Sequence, residues 1–232
     1  MSPGSVDAHV ADHGSEAEPC RLLIMAKAPV PGRVKTRLCP PCTLPEAAMV
    51  ARAALDDTLS TARATFPGRV VVMLDGEPGP WLPPDVGVLP QRQGDLADRL
   101  AGAFDDAGAP ALAIAGDTPQ VTPALLALAA TRLTSPGIDA VLGPTDDGGY
   151  WVIGLRRTDP GVFTGVPMST THTASAQRDR LRQLGLAWVE LPSLRDVDTF
   201  EDAVAVAAAV PGTRFSAKLC EVQARIDAVR VR

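Results

Sequence analysis

Short apolar segments alternate with longer stretches of helical periodicity along this chain, and that alternation leaves few folds open. Arg21 to Ala26, Val70 to Leu74, Val86 to Leu89, Ala111 to Ala115, Ala140 to Leu142, Tyr150 to Leu155 and Leu186 to Leu191 have the length and flanking punctuation of strands. Pro45 opens a helix in which Val50, Leu55, Leu59, Ala62 and Phe66 recur on one face. Asp95 to Ala107, Pro123 to Leu133, Thr170 to Leu184, Phe200 to Ala209 and a last segment carrying Leu219, Val222, Ile226 and Val229 also read as helices. Parallel neighbours need long crossovers, and helices supply them, so the expected fold is α/β: a mostly parallel mixed sheet with helices on both faces.

The chain has 232 residues, of which 46% are apolar and 21% charged, which suits one globular domain. That domain is expected over residues 20–232, after a disordered tail at 1–19 that holds Asp7, Asp12, Glu16 and Glu18 but no Lys or Arg. A net charge of -5 without a dense basic tract argues against nucleic acid as a partner. The longest wholly apolar run, Ala203 to Val210, falls far short of the roughly 20 residues of a membrane span. With no signal-like start and four cysteines in a long chain, a cytoplasmic protein is expected. Cys39-Pro40-Pro41-Cys42 resembles half of a zinc or redox site, but no second Cys/His pair follows, and a Pro-rich loop is the simpler reading. The arginine-flanked C-terminal helix, with Arg225, Arg230 and Arg232, either docks on the domain or pairs with a second subunit as a homodimer.

Ligands of open α/β sheets bind beyond the carboxyl ends of the strands, so the loops after strands carry the chemistry. The first such loop holds Lys27, Arg33, Lys35 and Arg37 around Gly32, a pattern suited to phosphate. It is neither a P-loop nor a dinucleotide turn, and a solvated basic loop is the alternative. Gly116-Asp117-Thr118-Pro119 and Asp196-Val197-Asp198-Thr199 bring carboxylates to two further strand ends, where each could instead cap a helix. Two acidic loops facing a basic one are what Mg²⁺ (or Mn²⁺) needs to bridge carboxylates and substrate phosphates. Gly143 to Trp151 reads as a hairpin turn, or as a cover for an acceptor in which Asp146 or Asp147 is a general base beside Gly148, Gly149 and Tyr150. Gln91, Gly94 and Asp95 precede a helix where a nucleobase edge can be read. Ser169 and Thr170 open the segment containing His172, which reads first as a helix N-cap.

Together, Met25 to Leu38, Gly116 to Pro119, Gly143 to Tyr150 and Asp196 to Thr199 resemble, in order and spacing, the DUF2064 family, also called rSAM/selenodomain-associated transferase 1. The resemblance runs from about Arg21 to beyond Ala205. It implies a Rossmann-like GT-A domain of the nucleotide-diphospho-sugar transferase class, similar to the guanylyltransferases of molybdenum-cofactor and coenzyme F420 synthesis. It further implies that Ala26, Lys27, Gly32, Arg33, Lys35 and Arg37 meet the nucleotide, with Gln91, Gly94 and Asp95 beside it. Asp117 and Asp198 would hold the metal, with Lys35, Arg37, Asp117, Asp146 and Asp147 as catalytic candidates; Asp196 is the less favoured ligand. Gly148, Gly149, Tyr150, Ser169 and Thr170 would meet the acceptor. Two departures stand out: Ala97 occupies a usual Gly position in the stretch ending at Arg99, and Met168 occupies a usual Trp position.

Three functions follow. In the first, an acceptor oxygen attacks the α-phosphorus of a nucleoside triphosphate and pyrophosphate leaves, an enzyme reaction run by positioning and charge stabilisation. The second is glycosyl transfer from a nucleotide-sugar to a small acceptor, and the third is a non-catalytic nucleotide-binding module. The concentration of cations after the first strand favours the first, because a triphosphate asks for more positive charge than a diphosphate-sugar.

Overall fold

The computed structural model describes residues 19–230, without the side chains of Val229 and Arg230. The expected tail therefore lies, apart from Pro19, outside the described residues, as does Arg232. Seven strands form one sheet in the order β3-β2-β1-β4-β6-β5-β7. They are β1 (Arg21–Lys27), β2 (Val70–Asp75), β3 (Gly87–Pro90), β4 (Ala111–Ala115), β5 (Ala140–Pro144), β6 (Tyr150–Leu155) and β7 (Trp188–Glu190). Only β6 runs against its neighbours; β5 and β7 point the same way as β1 to β4. The sheet is thus mixed and mostly parallel, as the alternation predicts.

The period of two along a strand divides the core between the two faces. In β1, Leu22, Ile24 and Ala26 join one cluster, which receives Leu55, Leu59 and Phe66 from α1 (Leu44–Thr65) and its end, and Leu126 and Leu133 from α3 (Pro123–Thr134). Leu23 faces the other way, towards Leu100 and Phe104 of α2 (Leu96–Ala107) and Leu181 of α4 (Thr173–Gln183). A third cluster lies outside the sheet, where α5 (Phe200–Ala209) and α6 (Arg214–Arg230) pack Ala203, Phe215, Leu219, Val222 and Ile226 on the outer face of α1. The C-terminal helix therefore docks on the domain. Arg225 seals the contact, donating through Nε and Nη2 to the two Glu46 oxygens at 2.8 and 2.7 Å.

Local chemistry sets the helix ends. Thr43 with Glu46, Asp95 with Asp98, and Thr199 with Asp202 each form a reciprocal capping box. One helix starts later than its periodicity suggests: α4 begins at Thr173 rather than Thr170. Ser169 sits at φ 58°, and the Thr170 amide donates to Thr173 Oγ1 at 3.0 Å, so residues 169–172 form a turn that leads into the helix instead of its first turn. The last strand is also shorter than Leu186 to Leu191, because β7 is an edge strand paired only with β5 over Trp188 to Glu190. No helix among the described residues is long and apolar enough to cross a membrane.

Candidate functional site

The order of strands leaves one crevice. The chain leaves β1 towards β2 on one side and later returns through β4 on the other, so the carboxyl ends of β1 and β4 flank a topological switch point. A pocket of about 420 Å³ opens there. Its lining brings together Met25, Ala26 and Lys27 from the end of β1, Gly116 and Asp117 from the end of β4, Arg33, Lys35 and Arg37 from the basic loop, and Asp198. Gly116 makes the crevice possible: a Cβ on it would stand 3.1 Å from Ala26 Cβ and 3.2 Å from the Met25 carbonyl oxygen.

Lys35 is the centre of this arrangement. Its backbone is left-handed, at φ 47°, which turns the side chain inward ahead of the short helical turn Thr36–Leu38. Only 12% of the side chain is exposed, against 75% for Arg37. Its Nζ lies 2.6 Å from Asp117 Oδ2 and donates to the Val197 carbonyl. Burial works against the ammonium charge, but Asp117 and Asp196 outweigh it and hold Lys35 above the usual lysine range. Arg37 pairs with Asp198. The Asp196 carboxyl is pushed above the usual carboxylate range by burial; Lys35 opposes that rise, whereas Asp117 and Asp198 add to it.

Asp196 to Asp198 follow a strand at the far edge of the sheet, yet they end at the switch point because residues 191–198 run back across the strand ends. Leu191 N–H donates to the Leu142 carbonyl and Leu194 N–H to the Pro144 carbonyl, at 2.9 and 3.2 Å. Trp151 Nε1 donates to the Pro192 carbonyl at 3.0 Å, and Gln120, from the loop after Asp117, holds the Arg195 carbonyl. Lys35 and Arg37 receive the end of the segment. Thr199, not Asp198, caps α5, and Thr122, not Asp117, caps α3, so neither pocket carboxylate is spent on a helix.

Asp117 and Asp198 are hard oxygen donors in one pocket beside five cations, a donor set that fits Mg²⁺ or Mn²⁺. Among the described residues no three His, Cys, Asp or Glu side chains form a ready cage, and Mg²⁺ needs only one or two carboxylates when phosphates complete its shell.

The other expected residues divide. Gln91 lines the pocket, but its Nε2 donates to the Ala26 and Met73 carbonyls at 3.0 and 2.8 Å and ties the ends of β1 and β2 together. Gly32, Gly94 and Asp95 lie outside the lining; Asp95 is the N-cap of α2. Asp146 accepts from Ser193 Oγ at 2.8 Å, and Asp147 Oδ1 accepts from the Thr145 hydroxyl and the Gly149 amide, so both carboxylates are engaged within or beside the β5–β6 hairpin. None of Gly148, Gly149, Tyr150, Ser169 and Thr170 lines the pocket; Gly148 and Tyr150 pack against the turn that holds Ser169 and Thr170. A Cβ on Gly148 would lie 2.0 Å from the Thr171 carbonyl oxygen, and the Ala174 amide donates to the Gly148 carbonyl at 2.8 Å. Tyr150 Oη lies 3.6 Å from Met168 Sδ, and burial raises its phenol well above the usual tyrosine range. His172 is the N-cap residue of α4, with no capping bond from its side chain. Cys39 and Cys42 are free thiols, and burial raises Cys42 to about 11.

Two residues had no role assigned from the sequence: Arg99, which ends the family-like stretch, and Asp75, which lies in no motif. Arg99 lines the pocket, 3.8 Å from Asp75 Oδ2. Asp75, the last residue of β2, also stands 3.9 Å from Lys27 and 3.6 Å from Arg33 and so holds three cations at one corner. No motif marks Asp75; its only sequence signal is a carboxylate at the end of an apolar strand.

The most similar solved structures that we compared share the architecture. A protein from Desulfovibrio desulfuricans G20, provisionally assigned as a nucleotide-diphospho-sugar transferase, is 27% identical over 90% of this chain and 97% of its own, with a TM-score of 0.80. A cytidylyltransferase from Leptospira borgpetersenii serovar Hardjo-bovis is 14% identical over 89% of this chain and 94% of its own, with a TM-score of 0.52, and shows likeness of fold alone. No curated protein matches the sequence. The model of the family described as "Uncharacterized protein conserved in bacteria (DUF2064)" matches residues 50–170, just over half of the chain, so this protein belongs to the DUF2064 family.

Proposed function

We propose that this protein is a divalent-metal-dependent nucleotidyltransferase that moves a nucleoside monophosphate from a triphosphate to a small phosphorylated or acidic acceptor. The observation that carries the reading is the convergence of Lys27, Arg33, Lys35 and Arg37 with Asp117 and Asp198 in one pocket at the β1–β4 switch point. A triphosphate laid there meets five cations, counting Arg99; Lys27 and Arg33 can turn towards it from loose surface pairs with Asp75, and the exposed Arg37 from its contact with Asp198. Lys35, already buried against Asp117, is pre-set at the place where charge develops on the departing pyrophosphate. Asp117 and Asp198 are the residues that would hold Mg²⁺ or Mn²⁺, whose chemistry is to neutralise that charge. The acceptor enters from the side of Gly148, Gly149, Tyr150, Ser169 and Thr170. No side-chain nucleophile is required.

The second reading is glycosyl transfer, and the likeness to the Desulfovibrio protein favours it. It asks for a general base, whereas Asp146 and Asp147 are both occupied by neighbours. Thermal-shift titration of nucleoside triphosphates against nucleotide-sugars, each with and without Mg²⁺, separates the two, because a ligand of the native state raises its stability by mass action. Stabilisation by one triphosphate with Mg²⁺, followed by pyrophosphate release with phosphorylated acceptors, is the expected result. A response to nucleotide-sugars alone transfers the assignment to glycosyl transfer, and no response to either leaves a non-catalytic module.

A further inference from the structure

A second cavity, of about 840 Å³, opens behind residues 28–33, between α1 and the Pro-rich segment that joins β2 to β3. Its volume falls within the roughly 300–1,000 Å³ of small-molecule sites. Val30 and Met49 line it, 43% and 45% exposed, although side chains of this size gain by leaving water. Trp81 lines it too, folded over its own loop: a Cβ on Gly79 would stand 2.5 Å from the indole nitrogen. Arg52 lies 5.8 Å from the indole centroid, and its Nε donates to both Asp56 oxygens at 2.8 and 2.9 Å.

The charge of the lining is the second observation. Four cations, Arg33, Arg52, Arg214 and Lys218, stand against two carboxylates, Asp56 and Glu77, in a chain whose net charge is -5. Lys218, 30% exposed, is paired with Glu221, which is 66% exposed, and Arg214, itself 62% exposed, stands 3.3 Å from the largely buried Asp57. The exposed Glu221 holds Lys218 weakly, and the exposed guanidinium of Arg214 can turn from Asp57 towards an incoming anion.

We propose that this cavity is a second ligand site that takes a small amphipathic anion, with a planar apolar body on Met49 and Trp81 and its anionic group towards Arg214 and Lys218. The site stands whether or not the neighbouring pocket takes a nucleotide. Pro29 and Arg33 line both cavities, so a single loop forms the wall between them.

Isothermal titration of the full chain with 1-naphthyl phosphate, 1-naphthol and inorganic phosphate tests the assignment. Saturable one-to-one binding is expected only for 1-naphthyl phosphate. Met49→Asp and Lys218→Glu should each weaken it by about tenfold or more, equivalent to roughly 1.4 kcal/mol. Both side chains reach solvent; if Met49→Asp lowers the melting temperature, Lys218→Glu alone decides. Lys35→Ala should leave binding of this probe unchanged, because Lys35 lines only the switch-point pocket. Absence of saturation, equal affinity for 1-naphthol, or loss on Lys35→Ala with none on Lys218→Glu would overturn the proposal. The last outcome would place the probe in the other pocket, so it also distinguishes failure here from failure of the nucleotide reading.

Discussion

Two acidic regions stand at the same edge of the sheet and serve different ends. Around the switch point, Asp117 and Asp198 pair with Lys35 and Arg37, cations far away in sequence. In the β5–β6 hairpin, Asp147 binds groups two residues away on either side, and Asp146 binds Ser193 of the segment crossing above it. A carboxylate that satisfies its own turn has its lone pairs committed and contributes shape. One whose partner is a cation distant in sequence can exchange that partner for a metal or a phosphate, and contributes chemistry. The difference lies in the partners, since the residue type and the edge of the sheet are the same.

The strongest challenge to this contrast is Asp117→Ala. It should lower kcat by about 10²- to 10³-fold, the scale of losing one preorganised charge-stabilising group, while far-UV circular dichroism stays unchanged. Pyrophosphate release measures it, and retained turnover would take Asp117 out of the chemistry. Lys35→Ala comes next, weakening triphosphate binding by about tenfold or more and flattening its dependence on salt, since one charge contact is gone. Titration at two ionic strengths reads both effects.

The hairpin side of the contrast predicts stability effects. Gly148→Ala should cost about 1–3 kcal/mol in calorimetry, because its φ of 91° and the Thr171 carbonyl leave no room for a Cβ. Asp147→Ala should cost about 1 kcal/mol through its two lost hydrogen bonds and leave kcat unchanged. A large fall in kcat at constant melting temperature would erase the distinction between the two regions and return Asp147 to the role of general base.

The smallest effect belongs to a carboxylate remote from both. Burial opposes the charge of Glu46, but the Thr43 amide and hydroxyl and the Arg225 guanidinium outweigh it and hold the carboxyl below its usual range. Its stabilisation is therefore complete above the unfolded value of about 4.3 and is lost as pH falls through the lower folded value. Acid unfolding of Glu46→Gln should show a shallower fall over that interval than the wild-type chain.

Much of the fold is legible because it depends on neighbours in sequence. Ala111–Ala115, Tyr150–Leu155 and Phe200–Ala209 appear with the bounds their patterns suggest, and Asp95 marks the start of α2 as an N-cap. Thr170 to His172 mislead, since three polar residues ahead of a helix can cap it or form a turn, and the Thr170–Thr173 hydrogen bond selects the turn. In the candidate site, the basic loop and the two aspartate motifs can be recognised, but their meeting cannot. Asp75 and Arg99 show the same limit: nothing local in either says that Lys27 and Arg33 will lie beside them.

Local periodicity, strand-end punctuation and capping residues act over a few positions, so the sequence by itself determined the elements, the α/β class and the types of residue available for chemistry. Which of those residues share a pocket depended on strand order and on the path of residues 191–198 across the sheet edge. That path rests on backbone and side-chain hydrogen bonds to Leu142, Pro144, Trp151 and Gln120, partners more than 40 residues away in sequence. Tertiary structure alone decided it, because the Coulomb interaction that pairs Lys35 with Asp117 depends on distance in space and takes no account of separation along the chain.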